Sequence, residues 1–366
     1  MALRDITSGC SQLSVVLFQT PGIIKESPPP KPTPHPSGPA DLPLLPRFVL
    51  IYCGVMLFSQ IAAALVAVPA VLAQSDVPVS PELQKIISDA ASDPKYDYPT
   101  SLTRGIVPKG FHSHNDYWRE VPFYSALKVG AISIEADVWL YNGTLHVGHD
   151  KSSLTNARTL DSLYIQPILS VLKQQNPNST FVDGATRNGV YDTVPGQTLY
   201  LFVDIKTDGA TTFPAVVKAL QPLRDAGYLT TFDGLTVTQG PITVIGTGNT
   251  PLTQVQGVAP RDFFWDAPIP ISAVIPSTVS PIASTSFNVF FPGVRGNEGL
   301  NDAQKVLLAA QVAVAKVKGM KLRFWDQPGW PVGTRNAIWR SLWDAGVDIL
   351  NVDDLEAAAD FWESRG

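Results

Sequence analysis

The chain has 366 residues, 45% of them hydrophobic and 16% charged, with a formal net charge of -5. That is enough apolar sequence for one large core, and a single α/β barrel of about 250 residues fits within it. The charge balance excludes the basic face that nucleic-acid binding needs, and it is too mild for disorder throughout. Both cysteines, Cys10 and Cys53, precede the expected globular part, which is left with no disulfide and no thiolate metal site.

Residues 1–47 read as an unstructured, proline-rich leader. Pro28, Pro29, Pro30, Pro32, Pro34, Pro36 and Pro39 block helix and central strand, and a PxxP-type ligand for a partner domain is the alternative. Residues 48–73 form an apolar run that exceeds the roughly 20 residues needed to span a bilayer. A secretory signal peptide starting at Met56 competes with that anchor. It has a breaker at Pro69 and small side chains at Val71 and Ala73 before Gln74, and it makes Met56 the expected start of translation. Either reading sends the chain into the secretory pathway, secreted or membrane-anchored. The sequons at Asn142 and Asn178 fit that compartment, although Asn142-Gly143 is equally a hairpin turn.

Residues 74–104 read as a linker with one short helix over 81–91. From 105 to 366, strand-like and helix-like segments alternate. Strands are expected at 106–112, 132–140, 199–205, 235–237, 242–245, 263–264, 287–291, 321–325 and 347–352. Helices are expected at 123–129, 165–174, 213–226, 302–317 and 334–345. This alternation predicts a parallel sheet, and about eight units favour a closed barrel over an open one. No G-x-G-x-x-G follows a strand, which argues against a dinucleotide site.

The stretch 110–150 carries the chemistry. In the strand SIEADVWL, Ser133, Glu135, Asp137 and Trp139 share one face, while Ile134, Ala136 and Val138 share the other. The apolar face suits the helix layer. Glu135 and Asp137 then point into the barrel near the C-terminal end of the strand, where barrel active sites lie. Two inward carboxylates so close repel each other unless a cation or proton intervenes, and hard cations such as Mg²⁺ or Ca²⁺ prefer oxygen ligands. Of five histidines, His112, His114, His146 and His149 cluster around this strand. His112 and His114 share a face. By parity His149 shares a face with Leu145 and Val147. Imidazoles beside a carboxylate-bound cation suit phosphodiester cleavage: one takes a proton from the nucleophile and the other gives one to the leaving oxygen. In LYLFVDIKTDG, Asp204 ends an apolar run and can complete the cation site, with Lys206 free to meet a phosphate oxygen.

HSHNDYW, GAISIEADVWL, LHVGHD, the RTLDSLYIQPIL run, FVDIKT and LRFWDQP together resemble the phospholipase C-like phosphodiesterases, within which the chain is most similar to the altered inheritance of mitochondria protein 6 family. The resemblance spans residues 105–355 and implies a TIM (β/α)8 barrel. It implies His114 and His149 as the acid/base pair. It also implies Glu135, Asp137 and Asp204 on one divalent cation, Mg²⁺ or Ca²⁺. Asn115 and Lys206 are implied beside the phosphate, and Trp325 and Asn351 on the substrate side. The His-Arg-Gly pattern of the glycerophosphodiesterases is absent, since Asn115-Asp116 follows His114.

The expected reaction is hydrolysis of a phospholipid or glycerophosphodiester, or intramolecular transfer to a cyclic phosphate. The expected protein is a monomer that can work at a membrane surface. Trp118, Trp265, Trp325 and Trp330 are candidates for an apolar mouth. The rivals are a metal-dependent amidohydrolase built on His112-x-His114, a two-carboxylate glycosidase, and a non-catalytic lipid-binding barrel.

Overall fold

A computed structural model describes residues 80–364, apart from 183 and 270–273. The expected leader at 1–47 and the apolar segment at 48–73 lie outside the described residues. Among those described, no helix is long and apolar enough to cross a membrane.

Eight parallel strands carry the architecture: β1 (Lys109–Ser113), β2 (Ala131–Tyr141), β3 (Leu199–Ile205), β4 (Ile242–Gly248), β5 (Phe264–Pro268), β6 (Ile282–Ser286), β7 (Lys321–Trp325) and β8 (Ile349–Val352). Each pairs with its neighbour, and β8 pairs with β1 through Phe111↔Leu350 and His112↔Asn351, so the sheet closes. A short arm, Thr144–Val147, folds back antiparallel on the end of β2. Tyr200, Phe202, Ile245, Phe264, Ile282 and Ile349 plug the interior. Ile134, Ala136 and Val138 face outward and are fully covered by the helix layer, as their alternation predicted.

The helices follow from local signals. Ser80 caps α1 (Pro81–Ala90) by accepting from the Leu83 amide. Asn301 and Gln304 cap reciprocally the start of the long helix Asp302–Lys318, and Gly319 ends it in the left-handed region. The expected helix at 213–226 is two helices, Gly209–Ala219 and Gln221–Asp225, because Pro222 starts a new one.

Two expected strands are not barrel strands. Residues 287–291 form a helical turn, Phe287–Phe290, in which the Phe291 amide bonds to the Phe287 carbonyl and the two rings pack together. The barrel strand is the preceding small-residue stretch Ile282–Ser286. At 235–237 the chain makes only the far side of a two-residue ladder, Thr231–Phe232 with Val237–Thr238, and Leu235 is exposed.

Candidate active site

The C-terminal rim of the barrel opens into a cleft of about 420 Å³. It is lined by His114, Asn115, Glu135, Asp137, His149, Asp204, Lys206, Thr247, Gly248, Arg323 and Trp325. Eight of the nine residues expected from sequence stand here; Asn351 lies just outside.

Register explains the carboxylates. β2 and β3 pair with Glu135↔Phe202 and Asp137↔Asp204, so Asp137 and Asp204 sit level on adjacent strands and Glu135 sits one step deeper. One oxygen from each of the three lies within 4.8 Å of the others. The oxygens divide into two sets. Lys206 Nζ bridges the Oδ2 atoms of Asp137 at 3.0 Å and Asp204 at 2.9 Å. The Oδ1 atoms of both are buried and have no hydrogen-bond partner. Two orphaned, buried carboxylate oxygens beside a third carboxylate are a donor set that fits a hard divalent cation. Burial, together with the negative charge of Glu135, pushes the Asp137 carboxyl well above the usual carboxylate range. Burial also raises Asp204. A bound cation removes both penalties. Gly248 makes the cradle compact: its φ is +61°, and a Cβ there would stand 1.9 Å from Asp204 Oδ1.

His112 and His114 share a strand and have different surroundings. His112 is fully buried, its Nδ1 2.7 Å from Ser133 Oγ and its ring edge-on to Phe202. Burial, then the Arg323 charge, depress its pKa to about 3, so it is a neutral interior residue. It does not line the cleft, which removes the paired histidine ligands that the amidohydrolase reading required. His114 is at the rim, with Nδ1 2.7 Å from Asp353 Oδ1 and Nε2 3.8 Å from Glu135 Oε2. Burial opposes its charged form, but the Asp353 hydrogen bond and the Glu135 charge outweigh it and raise its pKa.

His149 reaches the cleft from the far end of the antiparallel arm. The arm ends at Val147 and the chain turns at Gly148, so strand parity with Leu145 and Val147 does not extend to it. Its ring packs on Trp118, with centroids 4.8 Å apart, and its Nδ1 is 3.1 Å from the Tyr117 hydroxyl. His146 bonds to the Thr155 carbonyl, away from the cleft. Asn115 has a left-handed backbone that turns its amide onto Glu135 Oε2 at 3.0 Å. Trp325 is at the cleft, Trp330 is exposed, and Trp265 is packed against the outer core and not at the mouth.

Several groups escaped sequence reasoning. Arg323, 3% exposed, lies over the Phe202 ring at 4.5 Å; it bonds to Asn351 Oδ1 at 3.0 Å and is 3.6 Å from Asp266 Oδ2. Asn351 is therefore turned onto Arg323. Lys321, Arg323 and Trp325 share strand parity with a residue already singled out, and that signal was available. Tyr117 donates to Asp137 Oδ2 at 2.7 Å. Asp116, buried among Ser113, Tyr164 and the Phe123 amide, has its pKa raised by burial to about 6 and holds the turn after β1.

A family model described as the AIM6-like phosphodiesterase domain matches residues 100–266. The altered inheritance of mitochondria protein 6 homolog of Arthroderma benhamiae is 49% identical over 312 residues, covering 82% of this chain and 99% of that protein. The altered inheritance of mitochondria protein 6 of Eremothecium gossypii is 37% identical over 288 residues, 74% of each chain. That of Saccharomyces cerevisiae is 32% identical over 282 residues, 70% of this chain and 72% of its own. A closed parallel barrel, a buried acidic cluster at its C-terminal rim and these matches lead to one assignment: the chain belongs to the altered inheritance of mitochondria protein 6 family, a family of phosphodiesterase type.

Proposed function

We propose that the cleft cleaves a phosphodiester, in a phospholipid or a glycerophosphodiester, by proton transfer through His114 and His149. The observation that supports this most is the arrangement of two imidazoles and a three-carboxylate cradle in one cleft. Glu135, Asp137 and Asp204 would hold one divalent cation, Mg²⁺ or Ca²⁺, which when bound offsets negative charge on the phosphate.

The chain's own residues account for the rest. Lys206 secures the outer oxygens of both aspartates and presents a positive charge to the phosphate. One imidazole takes the proton of the attacking oxygen, and the other supplies one to the departing oxygen. If the attacker is water the products are an alcohol and a phosphomonoester. If it is a neighbouring hydroxyl of the substrate, the products are a cyclic phosphate and the departing alcohol. Trp325 offers an apolar wall for the substrate. For the compartment we infer the secretory pathway, on the apolar run at 48–73 and the exposed sequon residues Asn142 and Asn178. We take the working species to be a monomer able to act at a membrane surface.

Phosphorus NMR on a panel of lysophospholipids, phosphoinositides and glycerophosphodiesters with added Mg²⁺ or Ca²⁺ tests the reading. Turnover that disappears in His114→Ala and in chelator is expected. No turnover of any phosphodiester, with cation binding intact, would instead favour the lipid-binding barrel.

A further inference from the structure

We propose that Asp353 is the positioning residue of His114: it fixes the Nδ1–H tautomer of that imidazole and so leaves Nε2 as the atom presented to the cleft. Two groups compete at Nδ1 of His114. Asp353 Oδ1 is 2.7 Å away and Asn115 Nδ2 is 3.3 Å away. A carboxylate only accepts and an amide nitrogen only donates, so they demand opposite tautomers. The carboxylate contact is shorter and charge-assisted, so it decides the proton's place. The Asn115 carboxamide has a second polar neighbour, since its oxygen lies 2.5 Å from the Tyr117 hydroxyl.

The backbone around this contact is built to hold it. Arg119 ties the end of β1 to the end of β8. Its guanidinium donates to the carbonyls of His114 at 2.9 Å and Val352 at 3.2 Å, to the Asp353 carbonyl, and to Ser113 Oγ at 3.1 Å. The neighbouring acid has a different task. Asp354 caps the last helix (Leu355–Glu363) by accepting from the Ala357 amide at 3.1 Å, and it pairs with Arg335 at 2.8 Å. Asp353 has neither duty, and its carboxylate is spent on His114. At Nδ1, His114 has a carboxylate within hydrogen-bond range, whereas the nearest partner of His149 is the Tyr117 hydroxyl at 3.1 Å, with the Asp137 carboxylate farther off at 3.8 Å.

The kinetic half of the test rests on the phosphodiesterase reading; the spectroscopic half does not. Nitrogen-15 histidine spectra of the full chain, with Mg²⁺ added and at a pH where the ring is neutral, should show His114 as the Nδ1–H tautomer. In Asp353→Asn the side-chain amide can donate to Nδ1, so the resonances should move toward the Nε2–H tautomer. On the substrate found by phosphorus NMR, kcat should fall at least tenfold in Asp353→Asn with KM within about twofold, as for other groups that orient a reacting side chain. Asp353→Glu should recover part of the loss. An unchanged His114 tautomer in Asp353→Asn overturns the proposal, even if activity falls. A changed tautomer with unchanged kcat also overturns it. If the wild type turns over no phosphodiester, the functional reading fails, and the spectra alone decide the role of Asp353.

Discussion

The two ends of the barrel sequence, β1–β3 and β7–β8, meet around one cleft and contribute opposite kinds of group. The first three strands and their loops supply the groups proposed for the chemistry: His114, Glu135, Asp137, His149 and Asp204. The last two supply groups that hold them: Arg323, whose charge acts on Glu135, Asn351 bonded to Arg323, and Asp353 on His114. The acids of the first set also differ among themselves. Two keep orphaned oxygens, Asp137 Oδ1 and Asp204 Oδ1. Burial pushes those acids toward the neutral form. Glu135, next to Arg323, shows the reverse. Its burial is outweighed by His112 and by the positive charge of Arg323, which hold its carboxyl below the ordinary range. Two of the three cation-binding acids thus keep unpartnered oxygens, while the third is held ionised with help from the other half of the fold.

Substitutions in each half should separate these roles. The largest effect is expected from Asp137→Asn or Asp204→Asn, which remove a charged donor from the cradle. Turnover should fall by roughly 10³-fold, the scale of losing a directed charge contact in a dry site. Calorimetric titration with Mg²⁺ should show weakened binding while circular dichroism stays that of the wild type. Full activity in chelator would end the cation assignment. Next is Arg323→Met, which strips the counter-charge from buried Asp266 and Glu135. A loss of about 3–5 kcal/mol in urea unfolding is expected. A variant as stable as the wild type would show that the second half does not hold the first. Gly248→Ala should act more locally. Its Cβ must displace the Asp204 carboxylate, so cation affinity should drop about tenfold, with roughly 1–3 kcal/mol lost to the left-handed backbone. Unchanged affinity would mean that Asp204 is not fixed from β4.

Near neutral pH the smallest effect is a pH dependence. His112 stays neutral in the folded chain down to a pKa of about 3, against an ordinary value of 6.5. Below pH 6.5 the unfolded chain takes up this proton and the folded chain does not. Stability is therefore lost as pH falls from 6.5 toward 3, with a slope approaching about 1.4 kcal/mol per pH unit from this group. His112→Asn should flatten the urea midpoint against pH in that window. An unaltered slope would mean that His112 is not held neutral.

The sequence shows the first half well and the second half poorly, and distance along the chain explains why. Glu135 and Asp137 are two apart on one strand, so alternation alone puts them on one face. Their pairing with Asp204 needs only adjacent strands in register. His114 and Asp353 are separated by 239 positions, and no local periodicity links them. ILNVDD reads as a strand end followed by a helix cap, which describes Asp354 and conceals Asp353. Arg323 was hidden differently. It stands in KLRFW, where Trp325 drew notice and a buried arginine looks like a solvated one. The mistaken strand at 287–291 has a similar cause: the aromatic run is as apolar as a strand, and its helical turn shows in the Phe291 amide bonded to the Phe287 carbonyl and in the packing of the two rings.

Closure of the sheet by its last strand has a consequence for how the molecule is made. β8 is the last of the eight barrel strands to be synthesised, and it pairs with the first. A nascent chain that stops short of Ile349 has an open seam beside His114, no Asn351 under Arg323 and no Asp353. The cleft therefore becomes complete only when synthesis of the barrel does. Truncated products should carry the acidic cradle but not its finished rim.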